Sequence, residues 1–126
     1  MSKLNLGGSL ILDTDYSVSN TEKTGETWNG EPIYRRVIDT TVTPSGGIWA
    51  LGVASDVNTS TAKVIRISGF LGSNYPIPWL YTDNGSVQNA VWTDVQALAY
   101  GGVRLLTYNV VGTFNLRLII EYVKLS

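Results

Sequence analysis

Apolar and polar residues alternate with a period of two over much of the chain, which is the pattern of β-strands that bury one face. The last run, Phe114 to Leu125, is the clearest, because its even positions from Leu116 to Tyr122 are apolar and alternate with the polar residues Asn115, Arg117 and Glu121. The run Ile33 to Val42 also has its better apolar face at even positions. Both runs predict antiparallel strands with one face on a core.

Turn-forming residues separate these runs. Asn29-Gly30, between two strand-like runs, is the strongest short-range signal for a β-hairpin. Across that hairpin we expect Trp28 and Tyr34 to pack against each other. Pro76 and Pro78 restrict their run to the edge or the start of a sheet, because proline cannot donate a ladder hydrogen bond.

The segment 87–100 fits two interpretations. Val87, Val91, Val95 and Leu98 have helical spacing, whereas the valine content and the strand-like runs on both sides favour β-structure. We therefore expect strands there.

The fold class follows from the number of strands. About seven to nine short strands separated by turns predict an all-β protein, and one sheet alone cannot cover its own apolar face. We therefore expect an antiparallel β-sandwich, jelly-roll-like or immunoglobulin-like. Residues 1–21 are predicted to form an extended N-terminal arm and residues 22–126 the sandwich domain. The apolar patch Leu10-Ile11-Leu12 in the arm needs a partner on the domain or on another chain, and it is the candidate docking segment.

The charge distribution narrows the range of partners. Only 15% of the 126 residues are charged, below the roughly 25% of an average domain. Few charges suit surfaces that become buried in contacts. The net charge is -1 and Arg35-Arg36 is the only adjacent basic pair, so nucleic-acid binding is not expected. No apolar run approaches about 20 residues, so membrane insertion is not expected.

The residues needed for common catalytic sites are missing. The chain contains no His and no Cys, which excludes Ser-His-Asp and Cys-His arrangements and ordinary zinc sites. Most acidic residues fall in predicted loops or on solvent faces, so we expect no enzyme, no catalytic residue and no cofactor. Asp13-Thr14-Asp15 offers two oxygen ligands for Ca²⁺, but the rest of a calcium-loop pattern does not follow, and we interpret both as turn residues.

The aromatic residues provide one candidate binding site. Four of them lie in or near the proline-bounded run and form the candidate saccharide-binding set, because Trp and Tyr rings near loops can stack on sugar rings. The alternative is that they fill the core or a subunit contact. The set consists of Tyr75, Trp79, Tyr81 and Trp92.

Two stretches of the chain resemble a known group of proteins. Tyr16-Ser17 is followed by Gly-x-x-Trp at Gly25 to Trp28, then by Gly-x-Pro-apolar-Tyr at Gly30 to Tyr34 and the basic pair Arg35-Arg36. The closing run Leu118 to Lys124 ends in an aromatic residue close to a lysine. Both stretches resemble bacteriophage and prophage virion domains of the tail-fibre, receptor-binding or head-fibre type.

This resemblance implies a function in a virion that is assembled in the bacterial host cytoplasm. It implies a structural protein, such as a small fibre, a capsid decoration or a tail or baseplate component, that forms a homotrimer and contacts other virion proteins. Some such domains bind host-surface saccharide, so a saccharide-binding receptor module is the alternative function. A non-viral carbohydrate-binding or adhesin domain is a third interpretation of the aromatic set.

Overall fold

The computed structural model of the protein describes residues 21–125. The segment 1–20, which contains the Leu10-Ile11-Leu12 patch and Asp13-Thr14-Asp15, lies outside the described residues, as does Ser126. The first strand begins at Thr21, the residue with which the predicted arm ends. The strands are β1 (Thr21–Trp28), β2 (Glu31–Val42), β3 (Ile48–Ala54), β4 (Ala62–Leu71), β5 (Tyr75–Ile77), β6 (Trp79–Asp83), β7 (Ser86–Val95), β8 (Val103–Tyr108) and β9 (Phe114–Lys124).

These strands form two sheets packed face to face, which confirms the predicted all-β antiparallel sandwich. One sheet has the order β1-β2-β9-β4-β5 and the other the order β3-β8-β7-β6. Every pair of neighbouring strands is antiparallel. In an immunoglobulin domain the second strand lies beside the fifth. Here β2 lies beside β9, the last strand, so the order is not the immunoglobulin one.

The local turn signals have the structures that the sequence predicts. Asn29 and Gly30 have φ of 50° and 83° and connect β1 to β2, as a two-residue hairpin with positive φ requires. The segment 87–100, for which strands were expected, lies in strand β7 up to Val95. One turn of 3₁₀ helix follows at Leu98–Tyr100. Strand β5, which contains Pro76, and strand β6, which directly follows Pro78, each lie at the edge of a sheet. Each of these features depends on residues close together in the chain.

The prediction that Trp28 and Tyr34 pack against each other is wrong. Trp28 is the register partner of Glu31, and Lys23 is the β1 partner of Tyr34. Glu31 and Tyr34 lie three residues apart on β2, so Trp28 and Tyr34 point to opposite faces of the sheet. Tyr34 instead stacks on Tyr122 of β9, with ring centroids 6.0 Å apart.

The core lies between the two sheets and is built from alternate positions of the central strands. Leu116, Leu118 and Ile120 of β9 are fully buried. Val91 of β7 and Leu105 of β8 belong to the same cluster of buried residues and come from the opposite sheet. The even positions of β9 therefore supply the core as the alternation predicts, and the turns and edges surround that core.

The buried hydroxyl group of Thr107 leads to a prediction about stability. Thr107 of β8 is fully buried between its register partners Trp49 and Val91. Among the described residues, its Oγ1 has no hydrogen-bond partner. Thr107→Val keeps the shape and removes the unsatisfied hydroxyl, so we expect it to raise the free energy of unfolding by about 1 kcal/mol in urea denaturation.

Thr61→Val is the control for this substitution. The Thr61 hydroxyl donates to the carbonyl oxygen of Asp56 at 2.8 Å and accepts from the amide of Asn58 at 3.1 Å. Loss of these bonds should lower stability. An unchanged or lowered stability of Thr107→Val would contradict the prediction.

Candidate assembly surface

The outer face of the four-stranded sheet carries a continuous row of apolar side chains. Ile48 of β3 is the register partner of Tyr108 in β8, Tyr108 is the partner of Ala90 in β7, and Ala90 is the partner of Leu80 in β6. The row therefore crosses all four strands. The side chains of Val87 and Trp92 adjoin it. We call these six residues the outer apolar face: Ile48, Leu80, Val87, Ala90, Trp92 and Tyr108.

Large parts of this face are open to solvent. Ile48 is 76% exposed and Leu80 is 60% exposed. The six residues line a shallow hollow of about 370 Å³. A second hollow of about 310 Å³ shares Leu80, Ala90 and Trp92 with the first and extends to Pro78 and Trp79. Single exposed apolar residues are common on proteins, whereas a contiguous group is rarer, so this face is the candidate interaction surface.

An ion pair closes one end of the outer apolar face. Arg104 donates to both carboxylate oxygens of Asp94, from Nε at 2.9 Å and from Nη2 at 2.6 Å. Gln96 donates to the same carboxylate at 3.0 Å. The hydrogen bond from Arg104 holds the pKa of Asp94 below its usual value, although burial acts in the opposite direction. The charges at this end therefore neutralise each other within the same chain.

Amide side chains close the other end. Asn89 Nδ2 donates to the carbonyl oxygen of Asn109 at 2.6 Å, and Asn109 Nδ2 donates to the carbonyl oxygen of Gln88 at 3.1 Å. These bonds tie β7 to the end of β8. Each bond uses one of the two N–H donors of its side-chain amide.

The Asp94 ion pair predicts a dependence of stability on pH. A carboxyl group whose pKa is lowered by folding stabilises the folded state above its unfolded pKa of about 3.9, and this contribution is lost as the pH falls through the folded pKa. Asp94→Asn should lower the free energy of unfolding at pH 7 by no more than about 1 kcal/mol, because the pair is partly exposed. The difference from wild type should shrink below about pH 4. Urea denaturation of both proteins at a series of pH values between neutral and acidic measures this difference in the free energy of unfolding.

Asp83→Asn, at the exposed end of β6, is the matched control for that titration. An Asp94→Asn effect of equal size at all pH values would contradict a contribution from the ionised carboxylate.

The candidate saccharide-binding residues do not all lie on one face. Tyr75 and Trp79 are in contact, with ring centroids 4.8 Å apart, and Tyr75 also meets the edge of Phe114 at 5.9 Å. Both Tyr75 and Trp79 pack against the core. Tyr81 is exposed on the edge strand β6, and Trp92 lies on the outer apolar face. The structure therefore brings Trp79 and Trp92 to one hollow at the sheet edge, and it pairs Tyr75 with Trp79.

Five residues of the outer apolar face were missed in the sequence analysis: Ile48, Leu80, Val87, Ala90 and Tyr108. A signal for part of the face exists, because the run from Ile48 to Val53 is apolar at both odd and even positions. A strand that is apolar on both sides is expected to be covered on both sides. The sequence pattern of β3 thus indicated a second contact, although it did not show which strands share it.

Other kinds of site were sought in the same part of the molecule. Among residues 21–125, no three His, Cys, Asp or Glu side chains lie close enough together to hold a metal ion. No helix in this range is long and apolar enough to cross a membrane. Comparisons with protein-family models, with curated proteins and with solved structures gave no significant match.

Proposed function

We propose that the protein is a non-enzymatic structural subunit of a bacteriophage virion that self-associates through the outer apolar face of its four-stranded sheet. The observation that carries the self-association is the uncharged row from Ile48 to Leu80, which crosses the whole sheet and is largely exposed at both ends. In the virion the subunit contacts other virion proteins, and it is assembled in the host cytoplasm.

A second copy of the chain suits this face for electrostatic reasons. None of the six residues is charged, and the nearest ion pair, Asp94 with Arg104, is satisfied within its own chain. Two copies can therefore approach without repulsion between like charges. Burial of apolar surface contributes about 25 cal/mol per Å², and aromatic residues such as Trp92 and Tyr108 are enriched at the centres of interfaces.

A saccharide suits the same face less well. Sugar recognition needs several converging hydrogen-bonding groups beside an aromatic ring. On the outer apolar face only the Tyr108 hydroxyl and the Trp92 indole nitrogen offer such groups. The neighbouring amides of Asn89 and Asn109 already donate to the backbone. These observations favour a protein partner over a saccharide.

The virion part of the proposal depends on the resemblance described for the sequence, and the fold adds one supporting observation. The two resembling stretches lie far apart in the chain, yet they are neighbours in space. Tyr34, Arg35 and Arg36 of β2 are the register partners of Tyr122, Glu121 and Ile120 of β9. Among residues 21–125, the residues that carry the resemblance thus lie on the adjacent strands β1, β2 and β9 of one sheet.

The molecular mass in solution tests the proposal. The resemblance implies a trimer, so light scattering after size exclusion should give three times 13.7 kDa. A monomer at all accessible concentrations would contradict self-association. A monomer whose tryptophan fluorescence is quenched by a soluble saccharide would instead support the receptor-module alternative.

A further inference from the structure

Strand β3 is an edge strand without the features that usually protect such edges. It lies at one end of the order β3-β8-β7-β6, and β8 is its only paired neighbour among residues 21–125. An edge strand presents unpaired backbone N–H and C=O groups, and proteins usually guard them with charged residues, with proline or by keeping the strand very short. β3 has seven residues, of which none is charged and none is proline. Its free edge is therefore open to pairing with another strand.

The other three edges of the described sheets each carry such a feature. The edge strand β1 contains the charged residue Lys23. The edge strand β5 has only three residues and contains Pro76. The edge strand β6 follows Pro78 and ends at the charged residue Asp83. Among the described strands, the missing protection is thus specific to β3.

The core side of β3 is left incomplete at the same edge. Trp49 and Val53 pack against the core, and alternation places Leu51 on the same side of the strand. Leu51 is nevertheless 39% exposed. A hollow of about 340 Å³ opens beside it between β3 and β2, and its lining includes Ile38 of the core. A strand placed beside β3 would cover this leucine and one side of the hollow.

We infer that the free edge of β3 pairs with β3 of a second copy of the chain, in antiparallel orientation and centred on Ala50. β3 pairs regularly with β8 from Ile48 to Gly52, and the register shifts only beyond Gly52. Ala50 is the midpoint of this regular stretch, so a two-fold axis at Ala50 pairs all five residues. Each Leu51 then lies opposite Trp49 of the other copy, with Cβ atoms about 5 Å apart, and the indole covers the exposed leucine.

A second copy fits this edge because β3 is complementary to itself. Like charges that lie directly opposite each other destabilise a strand pair, and no residue from Ile48 to Ala54 is charged. At the two-fold axis Ala50 meets Ala50, so no large side chains collide there. Ile48 belongs to the outer apolar face and lies on the same strand, so the pairing brings the apolar rows of two copies next to each other.

This contact does not rest on the proposed function, because it uses the edge of the four-stranded sheet and not its outer face. Five paired residues bury far less than the roughly 1,200–2,000 Å² of a standard interface, so the pairing is weak between free chains. It becomes significant where copies are already held side by side, because a high effective concentration favours a second contact. In dilute solution the proposed trimer therefore remains the main species.

Cysteine cross-linking of the full chain tests the pairing and its register, because the sequence contains no Cys. Ala50→Cys is combined with Leu80→Lys, which places a charge in the outer apolar face and so removes contacts through that face. In the inferred register the two introduced thiols lie opposite each other. A short bis-maleimide should therefore link two chains at high protein concentration, seen as a two-chain mass and as a symmetric linked peptide by mass spectrometry.

Ile48→Cys in the same Leu80→Lys protein is the matched control. Ile48 lies on the same side of β3 as Ala50 and is 76% exposed, so chance collisions would link it at least as often. In the inferred register Ile48 lies opposite Gly52, and the two copies of Ile48 are four residues, or about 13 Å, apart along the strands. We expect at least about fivefold more linked product from Ala50→Cys, because a short cross-linker does not span the longer separation.

Thr82→Cys, at an exposed position of the edge strand β6, is a second control and should also give little product. Equal linkage of Ala50→Cys and either control, or no linkage of Ala50→Cys, would overturn the inference. Thermal unfolding of each variant verifies that the chain is folded. Light scattering of Leu80→Lys without a cysteine tests the outer apolar face alone, so a failure of the proposed self-association is distinguishable from a failure of the edge pairing.

Discussion

Leu80→Lys is expected to convert the proposed homotrimer into a folded monomer. Leu80 is 60% exposed in the single chain and lies at the β6 end of the outer apolar face, so the substitution leaves the core intact. In a symmetric assembly each copy contributes the same lysine to the contact, and each charge must be desolvated without a partner. Desolvation of an unpaired charge costs several kcal/mol, and about 3 kcal/mol already weakens association by roughly 100-fold.

The measurement is light scattering over a dilution series, combined with thermal unfolding. Leu98→Lys is the matched control, because Leu98 is 62% exposed but lies in the 3₁₀ turn outside the outer apolar face. We expect Leu98→Lys to leave the mass unchanged. An assembled Leu80→Lys protein would show that the contact lies elsewhere, and dissociation of both variants would point to a general effect of added charge.

Gly69→Ala is expected to prevent stable folding. Gly69 lies in β4 opposite Leu118, with φ of 155°, in the range that side chains rarely adopt. A Cβ atom there would lie 1.9 Å from the carbonyl oxygen of Arg117 and 3.0 Å from Cα of Leu118. Those atoms belong to the backbone of β9, which is held by β2 on its other side. We expect a loss of about 4 kcal/mol or more, a large part of the 5–15 kcal/mol that stabilises a typical domain.

Urea denaturation followed by circular dichroism measures this loss, and Gly25→Ala is the control. Gly25 also has a positive φ, of 87°, but a Cβ atom there meets nothing within 4 Å. Its substitution should therefore cost only the backbone strain, about 1–2 kcal/mol. If Gly69→Ala were as stable as Gly25→Ala, the close approach of β4 and β9 would not be the reason for the glycine.

Much of the fold was predictable because it depends on local chemistry. Alternation alone indicated strands β2 and β9, and Asn29-Gly30 indicated the first hairpin. The strand at 86–95 was favoured over a helix because valine side chains pack well on a pleated surface. These features require only neighbours in the chain.

The strand order and the candidate site were not predictable in the same way. Tyr34 was expected to pack with Trp28, but it stacks on Tyr122, which is distant in sequence. Trp79 and Trp92 look alike in the sequence, yet Trp79 packs against the core and Trp92 lies on the outer apolar face. A shift of one residue in register moves a side chain to the other face of a sheet, so such positions depend on pairing.

The sequence by itself determined the all-β class, the positions of most strands and the absence of histidine and cysteine chemistry. Only the tertiary structure decided that β9 lies between β2 and β4, and that Ile48 and Leu80 belong to one row. The physical reason is that strand propensity and turns act over a few residues, whereas a sheet face is assembled from strands that meet only after the chain has closed long loops.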